Sequence, residues 1–158
     1  MRFATLTSLI LSLSTLSAGL AAAQNKPPLP ITALSVLKAH EPTVTWVPSS
    51  LLKADFDFDG KDDYAFGGRA GARYVVGIVK GPVTDRSKYW TLGFSQNAGD
   101  QGALCSTSTA SITPETPDIE GLDALPPNSK GINLADGACD SFHIYWDRQT
   151  KRFVWSRN

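Results

Sequence analysis

The residues best placed to do chemistry lie in one short run, Ala54-Asp55-Phe56-Asp57-Phe58-Asp59-Gly60-Lys61-Asp62-Asp63-Tyr64. Counted from Asp55, carboxylates fall at positions 1, 3, 5 and 9, with glycine at position 6. A hard cation such as Ca²⁺ takes six to eight oxygen ligands. In a curling loop, alternate side chains turn toward one centre, so Asp55, Asp57 and Asp59 can converge. Gly60 permits the sharp bend that turns the Lys61 carbonyl inward. Asp63 then closes the far side, while Asp62 points outward. Without a cation the four carboxylates repel one another. At an effective dielectric of ~20, each pair 4–6 Å apart costs about 3–4 kcal/mol before relaxation. Mg²⁺ fits such a loop less well, because it demands a tight octahedron and keeps its waters. The predicted ligands are therefore Asp55, Asp57, Asp59, the Lys61 carbonyl and Asp63, with Ca²⁺ as the ion. Phe56 and Phe58 alternate with the acids and are expected to pack beneath the loop and fix its shape.

This is not an EF-hand, since Phe66 stands where the bidentate glutamate belongs, and a strand follows instead of a helix. The run resembles the calcium loops of FG-GAP and VCBS-type repeats, whose pattern is close to D-x-[ND]-x-D-G-x-x-D followed by a strand of small and apolar residues. Asp55, Asp57, Asp59, Gly60 and Asp63 match it in turn, and Tyr64-Ala65-Phe66 matches the strand. Two departures matter. Phe58 stands where those families often have a small residue such as glycine, and the motif occurs once rather than in a propeller-building series. The resemblance implies a calcium loop in a small exported bacterial protein; it does not imply a propeller.

Other chemistry-bearing residues are few. The chain has two histidines and two cysteines, with no ligand spacing for zinc and no G-x-S-x-G elbow. His143 lies between Phe142 and Ile144 and is expected to be packed and hydrogen-bonded. His40 sits at a helix end, where it can interact with the terminal carbonyls. Gly67-Gly68-Arg69-Ala70-Gly71 lacks the Lys-Ser/Thr of a phosphate loop and reads as hairpin chemistry. Asp118, Glu120 and Asp123 form an acidic stretch in a Pro-rich loop that a paired-carboxylate glycosidase could recruit, although a solvated loop is the simpler reading. Arg148, Lys151, Arg152 and Arg157 make the C-terminal end basic beside Trp146 and Trp155; the tryptophans are expected on the core side of a hairpin, and a surface for a glycan, peptidoglycan or anionic partner is the alternative.

The elements that must position these residues follow from patterning. Residues 1–23 carry Arg2, a leucine-rich apolar run and Ala21-Ala22-Ala23, the outline of a secretory signal peptide cut before Gln24. Interrupting serines and threonines leave the run short of a membrane span. Export through the Sec route to the periplasm or medium makes a Cys105–Cys139 disulfide the expected pairing. On the chain-entropy model such a bridge is worth roughly 3–4 kcal/mol. Residues 24–30 form a Pro-rich extended lead-in, and 31–158 a single domain. A short helix is predicted over Ile31–Ala39, ended by His40-Glu41-Pro42. Ser49–Lys53 reads as a helical turn or a short strand. Tyr64–Gly68 and Arg73–Lys80 read as a hairpin, and the second strand is apolar on both faces, so it should be central. Lys88–Ser95 is a further strand, and Ser141–Trp146 with Arg152–Trp155 a C-terminal hairpin. Thr107–Pro117 and Leu125–Gly131 read as loops. The fold class is α+β, mainly antiparallel sheet with one short N-terminal helix.

Lys and Arg number 15 and so do Asp and Glu, so no net charge draws the chain to nucleic acid or anionic lipid. Together these features describe an exported, calcium-binding, non-catalytic interaction module, with an inhibitor or immunity-type protein of the cell envelope as one form. Its partner would be an envelope protein or a cell-wall glycan. The alternative is a calcium-dependent hydrolase acting on cell-wall glycans.

Overall fold

The computed structural model describes residues 29–96, 103–117, 125–137 and 139–157. The expected signal peptide, most of the lead-in and the acidic stretch Asp118–Asp123 lie outside the described residues. The helix α1 spans Leu29–His40. It starts two residues before the predicted Ile31, because Pro30 falls in its first turn, where its missing N–H costs nothing and its fixed φ suits a helix. Ala33, Leu34, Val36 and Leu37 form its buried stripe, and the Glu41 N–H closes its end on the Leu37 carbonyl at 2.8 Å.

Among the described residues nine strands follow: β1 Thr45–Trp46, β2 Leu52–Ala54, β3 Asp63–Ala70, β4 Arg73–Val79, β5 Tyr89–Phe94, β6 Ser111–Glu115, β7 Gly131–Ala135, β8 Phe142–Asp147 and β9 Arg152–Arg157. A 3₁₀ turn, Pro48–Ser50, separates β1 from β2, so the ambiguous Ser49–Lys53 segment contains both a helical turn and a strand. The first sheet has the order β1-β3-β4-β5, with β2 also paired to β3; the second is a meander, β6-β7-β8-β9. All ladders within the sheets are antiparallel.

The first sheet is buried on both sides. Tyr74, Val76 and Ile78 of β4 face the second sheet with Phe94, Phe142, Ile132, Leu134 and Ile144. Val75 and Val79 face the helix with Leu37, Trp46 and Phe66. This double burial is why β4 reads as apolar on both faces, and burying each large side chain stabilises by about 1.5–3 kcal/mol. Between the sheets, Phe94 and Phe142 rings lie 5.0 Å apart and Trp155 meets Phe142 at 5.3 Å. Trp146 and Trp155 are both half-buried on the inner side of the C-terminal hairpin, as the sequence suggests.

Thr107–Pro117 is not all loop, because Ser111–Glu115 is the edge strand β6. Only Ile112 of this strand is buried, and Pro114 is tolerated at an edge. β7 begins where the Leu125–Gly131 loop ends and alternates buried Ile132 and Leu134 with half-buried Asn133. Cys105 and Cys139 form the expected disulfide, with a Cα separation of 5.9 Å inside the usual range. The buried Asp136 carboxylate anchors both ends of this bridge. It accepts the backbone N–H groups of Cys105, Ser106 and Cys139. No helix among the described residues is long and apolar enough to cross a membrane, and the disulfide points to an oxidising compartment.

Candidate metal centre

The acidic loop, residues 55–62, joins β2 to β3, whose last pair is Ala54 with Asp63. The ladder therefore brings the first and last carboxylates of the run to the same end of the sheet. Asp55 also bridges to Ser129. Its N–H donates to the Asn128 carbonyl and its carbonyl accepts from Lys130, both at 3.1 Å. The loop is thus clamped between both sheets. Phe56 and Phe58 are buried beneath it, as expected. Phe58 has φ +60° and Gly60 φ +84°. Left-handed backbone costs a non-glycine residue such as Phe58 about 1–2 kcal/mol. Burial of the Phe58 ring offsets this.

One oxygen from each of Asp55, Asp57 and Asp63 lies within 4.8 Å of the others. All three residues are buried, and they could hold a metal ion. Their hydrogen bonds differ in kind. Asp55 Oδ1 accepts the Asp59 N–H at 3.0 Å, while its Oδ2 accepts the Gly60 N–H at 2.9 Å and the Ser129 hydroxyl at 3.2 Å. Asp63 Oδ2 accepts the N–H groups of Phe56 and Asp57 at 3.1 and 3.2 Å, and its Oδ1 accepts Gly81 N–H at 2.9 Å. These two carboxylates shape the loop. Asp57 is different: its Oδ2 pairs with the Lys80 ammonium, whereas its Oδ1 is buried and meets no donor among the described residues. An ionised carboxylate offers about four acceptor sites, so each of the three retains capacity for a cation.

Asp59 is not in this cluster. Its Oδ2 pairs with Lys80 at 2.8 Å and its Oδ1 accepts the Lys61 N–H at 3.0 Å, so Lys61 supports the loop through its amide. Asp62 turns outward as expected, pairing with Lys53 at 2.7 Å and accepting from Asn128 Nδ2 at 2.7 Å. Lys80, Gly81 and Ser129 were invisible in the sequence pattern. They reach the loop from the end of β4 and from the approach to β7, and nothing in their own neighbourhoods signals this. Lys80 neutralises one of four loop carboxylates.

The electrostatics follow from these contacts. Burial pushes the Asp63 carboxyl up to about 6, against the N–H donations from Gly81, Asp57 and Phe56 and with the nearby Asp57 charge. Burial also works against Asp59, yet the Lys80 ammonium and the Lys61 N–H hold its carboxyl below the usual value. Burial opposes the Lys80 charge as well, but Asp57 and Asp59 raise its pKa. A raised carboxyl pKa favours the folded state at low pH. In metal-free protein, the Asp63 contribution should be complete below pH ~3.8 and lost as pH rises through about 6. Urea unfolding of metal-free protein between pH 4.5 and 7 should show that falling term, and Asp63→Asn should flatten it.

Gly81 is required by close approach. A Cβ there would lie 1.9 Å from the Asp62 carbonyl oxygen, which is backbone and cannot swing away. Gly81→Ala should cost about 2–3 kcal/mol in chemical denaturation and detach the N–H that holds Asp63 Oδ1.

On the outer face of the second sheet, His143 Nδ1 and Glu115 Oε2 lie 2.9 Å apart, so His143 is hydrogen-bonded and half-buried as expected. Comparisons with protein-family models, curated proteins and solved structures find no match for the chain.

Proposed function

We propose that this is an exported, calcium-binding, non-catalytic interaction module of the cell envelope, whose acidic segment is a loop of the FG-GAP and VCBS kind. The observation that carries the reading is the buried Asp55, Asp57 and Asp63 set, in which Asp57 Oδ1 has no donor among the described residues. A buried, unpaired carboxylate oxygen is costly, and a bound cation removes that cost. An all-oxygen, carboxylate-rich donor set suits Ca²⁺ better than zinc or copper. Asp55, Asp57 and Asp63 would hold the ion directly. Asp59 and the Lys61 carbonyl would complete the shell once Lys80 gives way. The ion would supply charge neutralisation among these carboxylates.

The hydrolase alternative needs two carboxylates flanking an open cleft. The test is incubation with purified cell-wall glycans in calcium, measuring new reducing ends. The expected result is retention of glycan or envelope protein on immobilised domain with no reducing ends above the blank. Reducing ends that vanish in Asp57→Asn would establish the hydrolase instead.

A further inference from the structure

The edges of the two sheets, β5 and β9, border a depression of about 400 Å³ whose lining includes Lys88, Trp90, Leu92, Lys151, Arg152 and Phe153. Its floor is aromatic. The Trp90 and Phe153 rings meet edge-on at 5.2 Å, and Trp146 packs against both at 5.3 and 5.0 Å. Its walls are cationic, with Lys88 Nζ 5.0 Å from the Trp90 ring centroid and Lys151 and Arg152 exposed on the opposite side. Among the described residues, no carboxylate lines it.

These cations are held apart from internal partners. Four basic groups elsewhere are tied down: Lys53 to Asp62, Lys80 to Asp57 and Asp59, Arg69 to the Thr107 and Ser108 carbonyls, Arg157 to the Asp140 and Ala103 carbonyls. Among the described residues, Lys88, Lys151 and Arg152 form no ion pair. Asp147 stands opposite Arg152 in the β8–β9 register, yet its carboxylate is committed to its own turn. It accepts from the Gln149 and Thr150 N–H groups and the Thr150 hydroxyl. In a chain with balanced charge, three unpaired cations around an aromatic floor form a local anion-seeking surface.

We infer that this cleft binds an acidic polysaccharide, a glycan chain carrying uronate carboxylates. A pyranose ring presents a C–H face to indole and phenyl rings and its carboxylates to the flanking cations, so one ligand satisfies floor and walls together. The recessed shape favours an inserted chain over a flat membrane surface. An acidic peptide would engage the walls but not the floor. The inference rests on the reading of the domain as a binding module, and it does not require calcium.

The experiment is calorimetric titration, with tryptophan emission as second readout, using a galacturonate tetramer in chelator so that calcium cannot bridge the sugar to the protein. Binding should be saturable and shift the emission. The methyl-esterified tetramer should bind at least about tenfold more weakly, and Lys88→Glu and Arg152→Glu should each lose about tenfold, some 1.4 kcal/mol. Lys38→Glu, on the exposed face of α1, should bind as wild type, and circular dichroism should confirm that all variants are folded. Equal binding of the ester, an equal emission response to polyglutamate or to phosphatidylglycerol vesicles, or no binding of the tetramer would overturn the assignment. Because calcium is absent throughout, failure here leaves the calcium centre to be judged by its own titration.

Discussion

Asp63→Ala is expected to be the most damaging single change in the acidic loop. It removes the acceptor for the Phe56, Asp57 and Gly81 N–H groups at once. Asp63 is fully buried, so water cannot simply replace it. Each orphaned buried donor costs about 1–3 kcal/mol. Part of that loss is offset, because the carboxylate was itself expensive to bury. A net destabilisation on the order of 3 kcal/mol is expected by urea denaturation of metal-free protein. Calcium should no longer raise the stability. Asp63→Asn keeps one acceptor oxygen, so it should lose the calcium response with a smaller loss of metal-free stability. Asp62→Ala gives up only an exposed pair with Lys53 and a hydrogen bond from Asn128. It should change little by either measure, since solvent screens an exposed pair.

The second large effect concerns Lys80, whose ammonium lies between Asp57 and Asp59. It is a tethered cation at the edge of the metal centre. A bound ion must compete with it for Asp57 Oδ2 and must displace it to recruit Asp59. Lys80→Met should therefore strengthen calcium binding about tenfold, or ~1.4 kcal/mol. The same change should weaken the metal-free fold, by an amount between the roughly 1 kcal/mol of an exposed pair and the 3–5 kcal/mol of a buried one. Opposite signs in the two measurements are the signature of a competitor. Weaker calcium binding in Lys80→Met would make Lys80 a support of the site instead.

Much of this centre was legible because the loop chemistry is local. Asp55, Asp57, Gly60 and Asp63 take their places from spacing and from the bend at Gly60, and the outward turn of Asp62 follows from the same geometry. The division of labour was not legible. Asp59 reads as a central ligand by position, yet its carboxylate pairs with Lys80, a residue from beyond β4. Asp63 reads as one ligand among several, yet the approach of Gly81 makes it the hub of the loop. Both differences arise from tertiary contacts with the end of β4. The fold shows the same contrast. β4 announces its double burial through Tyr74, Val76 and Ile78 on one face and Val75 and Val79 on the other. β6 does not, since an edge strand with Pro114 and only Ile112 buried has almost the composition of a loop. β7 is short and follows a Pro-rich turn, so its two large buried side chains, Ile132 and Leu134, do not form a conspicuous alternation.

The most direct measurement is thermal unfolding of the protein in calcium, in magnesium and in chelator. An ion that binds only the folded state stabilises it by RT ln(1 + [L]/Kd), about 2.7 kcal/mol at a hundredfold excess over Kd. In a domain of this size that corresponds to a Tm rise of roughly 10 °C. The account predicts such a rise with calcium, a much smaller one with magnesium, and none with calcium in Asp57→Asn. An unchanged Tm in calcium, an equal rise in magnesium, or a calcium response that survives Asp57→Asn would contradict it.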